Sequence, residues 1–102
     1  MKLLYHNQEI DMTYTHNPLI LKYRAMKLYH AFYLIGYNRY SSIKNRYRID
    51  AILVDDNNTI VTYQQDMHIN TVCSHEEAKN IILTPSGYFK DLKVGEQLLI
   101  QE

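Results

Sequence analysis

The sequence contains no tryptophan, one cysteine, two prolines and three glycines in 102 residues. Each scarcity closes off a class of protein. So few glycines leave almost nothing for a phosphate-cradling loop, and neither G-x-x-x-x-G-K nor G-x-G-x-x-G occurs. H-E-x-x-H and the nucleophile elbow are missing as well. Collagen-like and low-complexity chains are excluded by the same scarcity. Cys73 alone cannot close an intramolecular disulfide, which fits a reducing compartment. No stretch of about 20 residues is free of charge, and polar side chains follow directly after Leu4. Neither a membrane span nor a signal-peptide core is therefore expected, and the expected location is the cytoplasm.

What is present suits one folded domain over residues 1–102, with 46% hydrophobic side chains and 22% charged. Area scaling gives a folded surface of roughly 6,000 Å², about a third of the unfolded value, so a core without metal or disulfide is feasible. Helix-boundary signals stand at both ends of Asn17 to Gly36. Asn17 can accept from the first free amides, Pro18 suits the first turn, and Gly36 can end a helix in a left-handed conformation. Between them Leu21, Ala25, Leu28, Phe32 and Ile35 alternate spacings of four and three, which predicts a main helix over about 18–35. Before it, Lys2 to His6 and the alternating run from Glu9 to Thr15 predict a hairpin. After it, Tyr47 to Val54 and Thr59 to Ile69 flank Asp55-Asp56-Asn57-Asn58 and predict a second. The first strand of that pair is apolar on both faces, so it is expected to be central. Ser74-His75-Glu76-Glu77 has capping-box spacing and predicts a short helix through Leu83, and Gln97 to Gln101 predicts a last strand. The expected fold is α+β, order β-β-α-β-β-α-β, an antiparallel sheet packed on one main helix.

Formal net charge is zero, yet the charges are segregated along the chain. No acid lies between Asp11 and Asp50, where Lys22, Arg24, Lys27, Arg39, Lys44, Arg46 and Arg48 give +7. Residues 50–102 hold nine acids against three lysines. Within the basic half, Tyr37 to Arg48 interleaves three tyrosines with four cations and several amides and hydroxyls. Those are the side chains single-stranded nucleic acid requires: cations for phosphates, rings for stacking, amides for base edges. The bland alternative is a loop entering a strand, with Tyr47 in the core and the cations paired to the acidic half. Net neutrality itself counts against strong unspecific binding, because each phosphate contact needs an unpaired cation.

Other chemistry has less support. His68, Cys73 and His75 place three donors within eight residues, but H-x4-C-x-H lacks the paired spacing of zinc sites. Cys73 beside a helix start could be a thiolate with His68 or His75 as base. His30, Arg39, Tyr40, Lys44 and Arg46 offer the residue types of a small ribonuclease without its spacing. Ten tyrosines suit interfaces, so a protein partner or a homodimer is also in view.

The expected function is thus a non-enzymatic binding module. Its surface spans residues 22–48, with Lys22, Lys27, Tyr37, Arg39, Tyr40, Lys44, Arg46 and Arg48 contacting nucleic acid or a nucleic-acid-handling protein. No cofactor, small-molecule substrate or membrane is expected. Richness in Ile, Asn, Lys and Tyr is the bias of an AT-rich genome, and in that style alone, with no motif, the chain resembles the small accessory proteins of low-GC bacteria and their phages. One alternative is therefore a phage or mobile-element protein that inhibits a host enzyme such as a defence nuclease. Another is a small hydrolase or metal protein at His68, Cys73 and His75.

Overall fold

The computed structural model describes residues 1–23, 30–43, 45, 47–67 and 70–102, with residues 22 and 23 described by their backbone alone. The elements are β1 (Lys2–Tyr5), β2 (Gln8–Thr15), α1 (Ile20–Tyr23), β3 (His30–Ile35), β4 (Arg39–Ser41), β5 (Ile49–Val54), β6 (Ile60–Met67), β7 (Val72–Ser74), β8 (Asn80–Pro85) and β9 (Leu99–Gln101). Seven strands form one sheet, β6-β5-β8-β3-β2-β1-β9, curled into a half-barrel, while β4 and β7 form a separate ribbon. Among these strand pairs, β2 and β3 alone run parallel.

The protein is therefore nearly all β, and the expected α+β fold with a main helix is overturned. Asn17 does start a helical turn, its Oδ1 accepting from the Leu19 amide at 2.9 Å. The described helix is nevertheless only Ile20–Tyr23, and His30–Ile35 is a strand. The reason lies in where β3 sits. It is bonded to β2 on one side and β8 on the other, so it runs through the interior of the sheet. Ala31 and Tyr33 enter one core, Phe32 and Leu34 the other. A strand buried on both faces reads as a continuous apolar run, in which spacings of three and four arise without a helix. Leu28 and Ala25, which completed that spacing, lie outside the described residues. The short helix expected from Ser74 to Leu83 is also absent. Ser74 ends β7, a turn follows in which the Glu77 amide is capped by His75 Nδ1 at 3.1 Å, and Asn80 opens β8. The capping spacing belongs to a tight turn between strands.

Both hairpins form. In β1–β2, Tyr5 pairs with Gln8 and His6 takes the left-handed φ of 56° that the two-residue turn requires. Between β5 and β6, Asp55 Oδ1 accepts from the amides of Asn57 (2.9 Å) and Thr59 (3.0 Å), which fixes the connection locally. All six residues of β5 are buried, as expected of a central strand.

Two cores lie on opposite faces of the sheet. One joins Leu3, Tyr5, Ile10, Met12, Ile52 and Ile82 to Phe89, Leu92 and Leu98 from the chain segment after β8. The other joins Leu34, Leu53, Ile81 and Leu83 to Leu21, Tyr40, Cys73 and Ala78. The segment after β8 is fastened by side chains of the first hairpin. Tyr5 OH donates to Asp91 O (2.8 Å) and accepts from the Lys93 amide (3.1 Å). The Gln8 amide spans Tyr88 O and Lys90 N, at 2.8 and 2.9 Å. His6 Nε2 donates to Glu96 Oε2 at 2.8 Å. The same segment then crosses to the other edge of the sheet, where Gly95 N donates to Ile60 O and Ile60 N donates to Glu96 O, both at 2.8 Å. It thus links the two margins of the curl.

Among the described residues one carboxyl group is wholly buried. Asp50 on β5 has no exposed surface, and its two oxygens accept from the amides of Asp66 (2.7 Å) and Gly87 (2.9 Å). Both amides sit where the backbone turns left-handed, at φ 53° and 74°.

Candidate binding surface

The β4–β7 ribbon grows from β3, because Gly36 ends that strand at φ 85° and sends residues 37–39 away from the sheet. Gly36 N is held by Asn80 Oδ1 at 3.0 Å, and Asn38 O accepts from His75 N at 3.0 Å. Arg39 pairs with Ser74 across the ribbon. These bonds set the 36–39 turn beside the 75–79 turn. Between them lies an open cleft of about 350 Å³ lined by Gly36, Tyr37, Asn38, Arg39, Glu76, Ala78 and Lys79.

Two of the expected contact residues meet in this cleft. Tyr37 is half-buried, its hydroxyl donating to His16 O at 3.2 Å, which leaves the ring as part of the wall. Arg39 is exposed and makes no ion pair among the described residues. Asn38 and Lys79, also exposed, add an amide and a second cation, and Glu76 adds a carboxylate. Sequence reasoning missed Glu76 and Lys79 because it placed them on a helix some 40 residues away. Nothing local in the chain joins them to Tyr37.

Of the other expected contacts, the two with described side chains, Tyr40 and Arg48, do not gather there. Tyr40 is 2% exposed, and its hydroxyl donates to Asn45 Oδ1 at 3.2 Å. It is a core residue whose phenol burial pushes upward, and it cannot stack on a base. Arg48 stands at the far end of β5 and donates from Nη1 to Asp66 Oδ2 at 2.8 Å. At that point the basic and acidic halves of the sequence pair with each other. Lys22 lies in α1 and is described by its backbone alone. Lys27, Lys44 and Arg46 lie outside the described residues. Tyr47, which the bland alternative put in the core, is 47% exposed, with Ile43 and Val72 similarly open at 50% and 46%.

The catalytic and metal readings gain no geometry. Among the described residues no group of three His, Cys, Asp or Glu side chains could hold a metal ion, and His68 lies outside them. Cys73 is buried on the inner side of β7, and burial pushes its thiol up, opposite to what a nucleophilic thiolate needs. His30 shares a hydrogen bond with Thr13 Oγ1 at 2.9 Å at the start of β3. Arg39 lies beyond the end of that strand, about 20 Å along it, too far for the two to act on one phosphate.

No family model and no curated protein matches the chain. A solved structure does match in fold. It is a protein of Sinorhizobium meliloti 1021 described, provisionally, as a transcription regulator, with a TM-score of 0.74 over 96% of this chain and 89% of that one. Identity between the two is 14%, so the likeness is one of fold. No helix among the described residues is long and apolar enough to cross a membrane.

Proposed function

We propose that the chain is a non-enzymatic module that binds single-stranded nucleic acid through the cleft between the 36–39 and 75–79 turns. The observation that carries this reading is Arg39, an exposed cation without an ion pair among the described residues, beside the ring of Tyr37, the amide of Asn38 and the ammonium of Lys79. A phosphate contact needs such an uncommitted cation, and a base needs a ring and an amide within a few ångströms of it. The fold neighbour's description as a transcription regulator is consistent with work on nucleic acid. A cytoplasmic location fits the same role. Glu76 in the cleft wall limits the attraction, so binding is expected to be moderate and strongly weakened by salt.

The test is fluorescence anisotropy with labelled single-stranded DNA and RNA oligonucleotides at two salt concentrations. Wild type should bind with an affinity that falls as salt rises. Arg39→Ala and Lys79→Ala should each weaken binding and lower the salt slope by about 0.7, the share of a single phosphate on a single strand. Wild type that binds neither oligonucleotide, or binding indifferent to both substitutions, rejects the reading. A protein partner is the second reading, favoured by the half-exposed Ile43 and Val72 at the other end of the ribbon and by the equally exposed Tyr47.

A further inference from the structure

The sheet has two margins, β9 and β6, and they differ in how they are guarded. β9 is three residues long, too short to template much pairing. β6 is eight residues long and bonds only to β5 within the sheet. Its first residue, Ile60, is covered by Gly95 and Glu96. Its lower end is broken by the left-handed Asp66, at φ 53°. Between them, the outward backbone groups of residues 61–65 meet no other backbone among the described residues. The sequence there is Val-Thr-Tyr-Gln-Gln, without a charge or a proline. Native sheet edges usually carry lysine, proline or an inward charge to block pairing, and this stretch carries none.

We propose that the outer edge of β6 pairs antiparallel with the same edge of a second copy of this chain, about a twofold axis at Tyr63. A twofold perpendicular to the sheet keeps residues of one face opposite one another, so Tyr63 meets Tyr63 and Thr62 meets Gln64 of the other copy. Tyr63 already packs against one core, so its ring is presented in a fixed orientation. Thr62 and Gln64 alternate with it on the opposite face, following their partners Leu53 and Ala51 on β5. The edge is self-complementary because no like charges oppose and the central pair is aromatic. It is also short. Pairing over about five residues covers less than a standard interface, so the dimer forms at high protein concentration and separates on dilution.

Sedimentation velocity of the full chain across a wide concentration range tests this. Wild type should show a monomer–dimer equilibrium. Thr62→Lys combined with Gln64→Lys puts ammonium opposite ammonium and should raise the dissociation constant about tenfold or more, which is a difference of roughly 1.4 kcal/mol. Thr62→Lys combined with Gln64→Glu places opposite charges across the axis and should restore the dimer. Thermal midpoints of both variants, read by circular dichroism, should stay near wild type, because residues 62 and 64 do not enter either core. A chain that is monomeric at every concentration overturns the proposal, and so does a dimer that the lysine pair leaves unchanged. Weakening by the lysine pair without rescue by the charge pair retains the edge and overturns the register. Oligonucleotide binding plays no part in any of these readouts.

Discussion

Asp50 Oδ2 accepts the amide hydrogen of Gly87 at 2.9 Å, joining the middle of the sheet to the point where the chain leaves β8. The opposite oxygen holds Asp66 N at the bulge of β6. One carboxylate thus fixes two left-handed corners, and removing it strands two amides out of water. Asp50→Ala should destabilise the protein by about 3 kcal/mol in urea unfolding, since each buried unpaired group costs about 1–3 kcal/mol. Asp50→Asn, which keeps one acceptor, should fall between. At Gly87 itself φ is 74°, so Gly87→Ala should cost about 1 kcal/mol from backbone strain. Equal stability of Asp50→Ala and wild type would remove the carboxylate from this role.

Tyr33 donates its hydroxyl hydrogen to Asn58 Oδ1 and lies against Tyr14 edge to face, with ring centroids 5.1 Å apart. Burial, ahead of all other causes, pushes its phenol up from 10.0 to about 12. The neutral form is therefore favoured by folding. The stabilisation is fully present below pH 10 and is lost as pH rises from 10 through 12. Absorbance at the tyrosinate band should show several buried rings, Tyr5 and Tyr40 among them, titrating late in the wild type, and one fewer in Tyr33→Phe. Stability should fall across the same window.

Arg48 and Asp66 make a close exposed ion pair, at 2.8 Å, with side chains 55% and 52% exposed. Solvent at that exposure screens most of the attraction, so Arg48→Ala should change stability by less than about 1 kcal/mol. It should also leave oligonucleotide binding as in wild type, in contrast to Arg39→Ala. A larger loss of binding at Arg48 than at Arg39 would move the binding surface to the other end of β5.

Cys73 should react slowly with a disulfide reagent in the native state at neutral pH, because its thiol is buried and burial keeps it protonated. In denaturant the reaction should become fast and reach one thiol per chain. Fast native labelling would show that β7 opens.

The elements that sequence reasoning located are those whose pairing is local. Tyr5 and Gln8 meet across a two-residue turn, and Asp55 ties down its own hairpin through Asn57 and Thr59. β3 and β8 escaped because their partners are distant. Phe32 lies opposite Leu83, and no periodicity within either segment records that pairing. With both faces covered, the usual alternation of a strand vanished, and Asn17 and Gly36 supplied helix signals that the structure uses for a single turn and a strand end. The candidate cleft was half legible for the same reason. Tyr37 and Arg39 stand out as a ring and a cation in an acid-free stretch, whereas Glu76 and Lys79 reach them only through the ribbon and the turn beyond it.

The fastening of the segment after β8 has a consequence for synthesis. Tyr5 must wait for Asp91 and Lys93, and β1 pairs with β9. On the ribosome, the first hairpin emerges long before the residues that cover its apolar side chains. Leu3, Tyr5 and Ile10 therefore remain in contact with water, or with a chaperone, until translation has passed residue 101 and the segment has left the exit tunnel. The first hairpin thus depends for its cover on the segment that emerges last, and a stall near residue 85 would leave a nascent sheet with one of its cores uncovered.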